Sequence, residues 1–241
     1  MLNNLMNIVI PMAGNGSRFS NAGYTLPKPL IPVNGAPMIT CAIKSLGLVG
    51  KYYFIVRNNE FLEITLEAIH TVCVNPVIIA IAEVTEGAAS SALLLREYID
   101  NDDELIIANC DQIMNWDSAA ALSVFQQYDG AVVTILSTDH KHSYVKLDNN
   151  GIAISFAEKK VISNTALTGI HYWKHGKFFV ESATKMIVNN DRASNGEFYI
   201  APTYNYMIDR NSLIGTYPVT YTEFYPIGTP DDLERYLNEV G

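Results

Sequence analysis

Residues 7–18 read Asn-Ile-Val-Ile-Pro-Met-Ala-Gly-Asn-Gly-Ser-Arg, and residues 26–32 read Leu-Pro-Lys-Pro-Leu-Ile-Pro. After Asn7 the run 7–12 is apolar without alternation, the mark of a strand buried on both faces. It opens directly into Ala13, Gly14, Asn15, Gly16 and Ser17. Glycines there let the backbone approach a ligand and turn its N–H groups inward. Two cations follow. Arg18 closes the loop, and Lys28 stands between Pro27 and Pro29, whose fixed φ angles stiffen the segment and aim one ammonium. A buried strand that empties into glycines and then cations reads as a nucleotide-phosphate site at the edge of an α/β sheet. It is not a P-loop, because no Gly-Lys-Ser/Thr closes it, and it lacks the third glycine of a dinucleotide fingerprint. Alone, Gly14-Asn15-Gly16 is as readily a tight turn and Arg18 a solvated charge; with the bracketed lysine, a purely structural reading is weak.

Outward from this stretch, strands alternate with helices. Strands are expected at 52–56, 76–82, 105–109 and 131–136, and helices at 37–48, 60–72, 86–98 and 118–127. That alternation predicts an α/β fold, a Rossmann-like, mostly parallel sheet with helices on both faces. Right-handed crossovers would bring the loops after the first, third and fourth strands to one edge. Beyond residue 137 the texture changes. Short strands at 144–147, 152–156 and 167–173 surround the turn Asp148-Asn149-Asn150-Gly151, a hairpin signal. Helices at 177–189 and 203–209, a strand at 213–219 and a last helix at 230–240 follow. No repeat or linker divides the chain, so residues 1–241 read as one domain. Its nucleotide-binding half covers about 1–136, and a small substrate lobe covers about 137–241.

Composition narrows the partners. With 25 acidic against 16 basic side chains, a net charge of −9, the chain is unsuited to nonspecific nucleic-acid or anionic-membrane binding. An anionic ligand must meet a local basic cluster, for which Arg18, Lys28, Lys159 and Lys160 are the candidates. Cys41, Cys73 and Cys110 sit among apolar neighbours without metal-type spacing and read as reduced core thiols. The opening residues lack the pattern of a secretory leader, and no apolar run reaches membrane-spanning length, so a cytoplasmic protein is expected. A homo-oligomer is left open.

Asp111 ends the run Leu105-Ile-Ile-Ala-Asn-Cys-Asp, where a carboxylate faces the ligand edge and could hold Mg²⁺ beside phosphates. The plain alternative is a turn aspartate. After the third strand, Thr85 and Gly87 begin a stretch of small residues with room for a flat ring. Thr85 could touch a base edge or simply cap a helix. In the second half Glu158, Lys159 and Lys160 end a strand, so that one lysine could grip a second phosphate while Glu158 receives hydroxyls. His140 and His142 lie in a polar loop and read as surface residues.

In order along nearly the whole chain, these pieces resemble the nucleoside triphosphate transferase family that contains the sugar-phosphate nucleotidyltransferases. The match runs through the loop 13–18, Pro27-Lys28-Pro29, Asp111, Glu158-Lys159, Gly169, Gly196-Glu197-Phe198-Tyr199 and the stretch 227–233. The loop variant Ala-Gly-Asn-Gly-Ser-Arg looks like members found in capsule polysaccharide pathways, some of which activate phosphorylated compounds other than sugars. The resemblance implies transfer of a nucleotidyl group from an NTP, CTP first, to a phosphorylated acceptor such as a sugar 1-phosphate, with Mg²⁺ as cofactor. Arg18, Lys28 and Asp111 would be catalytic, with Asp111 on the metal. Ala13, Gly14, Asn15, Gly16, Ser17, Thr85 and Gly87 would hold the nucleotide, and Glu158, Lys159, Gly169 and Glu197 the acceptor. Many members carry a second metal-binding Asp two residues before the last Gly-Thr. Here that place is Pro226, leaving Asp111 with phosphate oxygens, or another carboxylate such as Glu223. Two rival readings are a cytidylyltransferase for a non-sugar phosphate ester and a nucleotide-binding regulator without catalysis.

Overall fold

The computed structural model describes residues 6–240. The first five residues, part of the opening on which no leader is expected, lie outside them. The chain begins with β1 (Asn7–Pro11), α1 (Ser17–Asn21), a 3-10 turn at Lys28–Leu30 and a ribbon of β2 (Pro32–Val33) and β3 (Ala36–Pro37). Next come α2 (Met38–Leu46), β4 (Lys51–Arg57), α3 (Leu62–His70), β5 (Val77–Ile81), α4 (Ala88–Leu93) and α5 (Arg96–Ile99). They lead to β6 (Leu105–Ala108), β7 (Gln112–Met114), α6 (Ser118–Phe125) and β8 (Gly130–Leu136). The hairpin β9 (Tyr144–Leu147) and β10 (Ala153–Ala157) precedes β11 (Thr165–Trp173). The rest is α7 (Gly176–Val188), α8 (Thr203–Ile208), β12 (Ile214–Pro218), β13 (Phe224–Pro226) and α9 (Pro230–Val240).

The fold is α/β around a mixed, mostly parallel sheet. Strands β5, β4, β1 and β6 pair in parallel in that order. Antiparallel β11 then joins β6 to β8, and β12 closes the far edge parallel to β8. The hairpin β9–β10 attaches to β11 where Ala166 faces Tyr144. Strand β8 therefore does not continue the parallel run, because β11 enters between it and β6.

Helices cover both faces, and successive strand residues feed opposite cores. Ile8 and Ile10 pack into the cluster under α2 and α6, while Val9 packs with Ala89, Ala92 and Phe179 of α4 and α7. Each such side chain, fully removed from water, contributes roughly 1.5–3 kcal/mol. This two-sided burial is why β1 shows no alternation.

The helix expected at 86–98 is two short ones. Its start moves to Ala88 because Glu86 and Gly87 are used elsewhere. Phe198 N–H donates to Glu86 O at 2.7 Å, and Ala89 N–H donates to Phe198 O at 3.0 Å. Between α4 and α5, the N–H groups of Leu94 and Leu95 bond three residues back, to Ser91 and Ala92, a tightened turn that ends α4.

A third, small core matters most for the site. Phe19, Ile31, Val33, Met38, Ile227 and Leu233 pack together. Arg18 thus adjoins an anchored residue, Lys28 sits on a segment pinned at Ile31, and Gly228 follows anchored Ile227.

Candidate functional site

The loops after β1, β5 and β6 meet a cavity of about 320 Å³ that runs from Arg18 and Asp111 to Glu158, Lys159 and Tyr199. Lys28, just behind the lining, donates from Nζ to the lining residue Asp111 at Oδ2, 2.8 Å away. Both side chains are about one-quarter exposed, 25% and 22%, so the pair is partly screened by solvent. Burial disfavours the Lys28 ammonium, but the Asp111 carboxylate outweighs it and lifts the lysine above its ordinary pKa. Gly16, at φ 61°, lets the loop pass close to Lys28, where a Cβ would stand 3.2 Å from Lys28 Cβ. On the other side Ile227 N–H donates to Asp111 O at 2.9 Å. A Cβ on Gly228 would overlap the Asp111 carboxyl group, with its Cγ only 3.1 Å away.

Glu158 and Gly169 line the other half of the cavity. Glu158 is half-buried and accepts a hydrogen bond from Ser143 Oγ. Burial raises its pKa, opposed by Ser143 and Lys159. Lys159 adopts φ 50° and directs Nζ to Tyr199 Oη at 2.5 Å, over the same ring. Gly169, at φ 94° in a bulge of β11, makes room for the Asn109 side chain, whose Cγ lies 2.7 Å from where a Cβ would be.

Other sequence-nominated residues stand outside this cavity. Ala13, Gly14, Asn15, Gly16, Ser17, Thr85 and Gly87 border it through Arg18 and Ala88, which do line it. Gly14 has open space where a Cβ would be. Thr85 is neither the helix cap nor an unengaged group: its Oγ1 donates to Gly87 O at 3.0 Å and lies 2.5 Å from Ser91 Oγ, while the α4 N-cap is Gly87. Gly87 itself is required by protein packing. At φ 127° its Cα abuts the Phe198 backbone, with Phe198 N 2.7 Å from a Cβ position. Glu197 is exposed, because the turn closed by Gly196 N–H to Ala193 O carries it outward. Lys160 is also exposed and outside the cavity.

Pro226 lies in the cavity wall, paired with Gln112 across the β7–β13 ribbon. Glu223 does not take its place. It binds Thr220 through Oγ1 at 2.7 Å and N–H at 2.8 Å, closing its own turn. Among the described residues no group of three or more His, Cys, Asp and Glu could hold a metal ion. Asp111 supplies one carboxylate to the part of the cavity that Gly228 also lines. That donor set suits Mg²⁺, which commonly takes one or two carboxylates and fills its octahedron with phosphate oxygens and water.

Several lining residues escaped the sequence reading. Lys141 reaches from the loop before β9 to Asp232 of α9, Nζ to Oδ1 2.9 Å, and Thr229 Oγ1 also donates to Asp232 at 2.8 Å. Tyr199 lies in the family-like stretch 196–199, where the sequence points to Glu197, and it is Tyr199 that lines the cavity. His171 is buried at 6% exposure and lines the cavity floor, with its ring over Tyr204 and Trp173.

Burial pushes His171 down to about 3 from its ordinary 6.5, so it is neutral at pH 7. Between those values the unfolded chain binds a proton that the folded chain refuses, and stability falls as pH drops through this window. At pH 4 the loss reaches about 3 kcal/mol. Urea unfolding at pH 7 and pH 4 should show His171→Phe losing less stability on acidification than the wild type by about that amount; equal losses would refute the assignment.

No described helix is long and apolar enough to cross a membrane. Comparison with known proteins bears on the whole chain. The archaeal Bifunctional protein GlmU of Methanocaldococcus jannaschii is 28% identical over 193 residues, 78% of this chain and 44% of that protein. The chain thus spans about half the length of the curated relatives it matches. The crystal structure of a nucleoside-diphosphate-sugar pyrophosphorylase from Vibrio cholerae superposes with a TM-score of 0.84 at 25% identity, covering 96% of this chain and 100% of that one. A putative glucose-1-phosphate thymidylyltransferase from Bacillus anthracis shares the fold, with a TM-score of 0.75 at 20% identity over 97% and 94% of the two chains. The Nucleotidyl transferase family model matches residues 8–236, from β1 through most of α9. With the glycine loop, the lysine–aspartate pair and the second-half cavity all inside that span, the chain belongs to the nucleotidyl transferase family.

Proposed function

We propose that this chain is a sugar-phosphate nucleotidyltransferase that joins an NTP to a phosphorylated acceptor and releases pyrophosphate. The observation that carries this reading is the single cavity joining Arg18 and the Lys28–Asp111 pair to Glu158 and Lys159. Cations at both ends suit two anionic reactants, whose mutual repulsion is the main barrier to their meeting. An acceptor phosphate oxygen attacks the α-phosphorus in line, and the bond to the bridging oxygen of pyrophosphate breaks. The acceptor phosphate is already ionised, so neither a covalent nucleophile nor a general base is needed.

Arg18 meets the departing pyrophosphate. Lys28, aimed from its proline bracket, lies between the α-phosphate and the acceptor phosphate. Lys159 grips the acceptor and Glu158 receives its hydroxyls, with Gly169 shaping the floor. Mg²⁺, when bound through Asp111, would neutralise phosphate charge. Residues 1–136 supply the nucleotide half and 137–241 the acceptor half of one domain. Backbone groups of Ala13, Gly14 and Gly87 read the base; the Phe198 backbone pressed against Gly87 narrows that side and supports a pyrimidine, CTP first. A sugar 1-phosphate is the first acceptor, and the loop 13–18 supports a place in capsule-type polysaccharide synthesis in the cytoplasm.

The test is pyrophosphate release from four NTPs, each with a panel of sugar 1-phosphates and of non-sugar phosphate esters such as phosphocholine. Release with CTP and a sugar 1-phosphate is the expected result. Release only with a non-sugar ester would reassign the acceptor. Tight NTP binding without release for any pair would favour the regulator, a reading that Pro226 in the cavity wall keeps in view.

A further inference from the structure

Arg192 lies outside the cavity, yet it ties together two segments that the proposed reaction uses separately. Its Nη2 bonds Glu86 Oε1 at 2.8 Å, on the loop after β5. Its Nη1 donates to Gly196 O at 2.8 Å and its Nε to Asn190 Oδ1 at 2.6 Å. The guanidinium also lies 4.1 Å from the centre of the Phe198 ring, a cation–π contact. Beneath this clamp run the two backbone hydrogen bonds between Phe198 and the pair Glu86 and Ala89. Gly87 lacks the Cβ that would separate the two strands of backbone. The next residue, Tyr199, lines the cavity and receives Lys159 Nζ through its hydroxyl, which Asn195 Nδ2 also contacts at 2.8 Å.

We propose that Arg192 is a positioning residue: it locks the loop 83–88 and the segment 193–199 into one unit, so that a nucleotide held at the first orders Tyr199 and Lys159 for the acceptor. The nucleotide half of this inference rests on the proposed function; the clamp itself does not. A lysine cannot replace this arginine, because three directed N–H bonds and a flat face over Phe198 require the planar fork. Ordering at one loop reaches the other because they share hydrogen bonds and a packed glycine.

Hydrogen–deuterium exchange on the full chain tests this in two steps, comparing wild type, Arg192→Gln and Glu86→Gln. Without ligand, Arg192→Gln, which removes three directed bonds, should exchange about tenfold faster at 83–89 and at 193–201 together, and Glu86→Gln, which weakens one pair whose carboxylate is 62% exposed, should exchange faster at the same two stretches by a smaller factor. Faster exchange confined to 190–197 would overturn the clamp. With Mg²⁺ and CTP added, wild type should gain protection at 12–18, at 83–88 and also at 193–201, whereas Arg192→Gln should gain it only at the first two. Protection of 83–88 in wild type without 193–201 would overturn the coupling. Absence of protection at both 12–18 and 83–88 would count against the CTP-site reading and overturn the coupling built on it, while the ligand-free comparison still decides the clamp. A merely structural arginine would leave the nucleotide-dependent difference between wild type and variant at zero.

Discussion

Lys28→Met is expected to lower kcat by about a hundredfold or more in the pyrophosphate-release assay while leaving the fold in place. The magnitude is that of removing one preorganised charge from a developing transition-state charge. Methionine keeps the length of the stem, so the contact with Gly16 survives and the change is mainly one of charge. The orphaned Asp111 carboxylate, 22% exposed, retains access to water, and the stability lost is expected to stay near 1 kcal/mol. Turnover and urea unfolding measured on the same preparation separate the two effects. If kcat is unchanged and only the KM for NTP rises, Lys28 is a binding group and its place between the two phosphates is wrong. Lys28→Arg should not restore full turnover. A forked guanidinium cannot occupy the point position that Pro27 and Pro29 prepare for an ammonium, and it would bind Asp111 in a two-pronged geometry of its own.

The reasons Lys28 could be read from sequence also explain what could not be read. Local chemistry announces itself. Prolines on both sides of a lysine, glycines after an apolar strand, and an aspartate ending one are all signals within a few residues. The strand β1 and the edge at which the cavity opens followed from such signals. The position of β11 in the sheet did not, although its strand at 167–173 did, because its place between β6 and β8 is a choice of partners made across the chain, and an apolar run carries no record of direction. The ribbon of β7 and β13 was missed because three-residue strands are too short to show a period. The sequence reads Gly87 as a place of close backbone approach, and the structure puts Phe198, more than a hundred residues on, against it. A glycine reports that something comes close, not what. The same limit hid Lys141 and Asp232, an exposed-looking loop cation and a helix-start acid that meet only in the fold.

Asp111→Asn is expected to abolish Mg²⁺-dependent turnover, a loss at least as large as that of Lys28→Met. Asparagine keeps the shape that Gly228 accommodates and the backbone bond to Ile227, so the variant should fold. What changes is charge. On the proposed reading the site would no longer attract a divalent cation, and Lys28 loses the carboxylate that holds its ammonium against the cost of burial. The two consequences are separable. Loss of the metal site shifts the Mg²⁺ concentration needed for half-maximal turnover, whereas loss of the lysine's partner moves the alkaline limb of the pH–rate profile to lower pH. Because Pro226 and not a carboxylate occupies that part of the wall, Asp111 is the single protein ligand on this reading, and Mg²⁺ should bind weakly to the protein alone and mainly together with bound triphosphate. Pro226→Asp is the converse experiment. Pro226 ends a short ribbon beside Gln112, so its replacement disturbs little packing, and the added carboxylate should lower the Mg²⁺ concentration for half-maximal turnover by about tenfold. If Asp111→Asn keeps its metal dependence, the ligand lies elsewhere, and the pair of Lys28 and Asp111 serves only to aim the lysine.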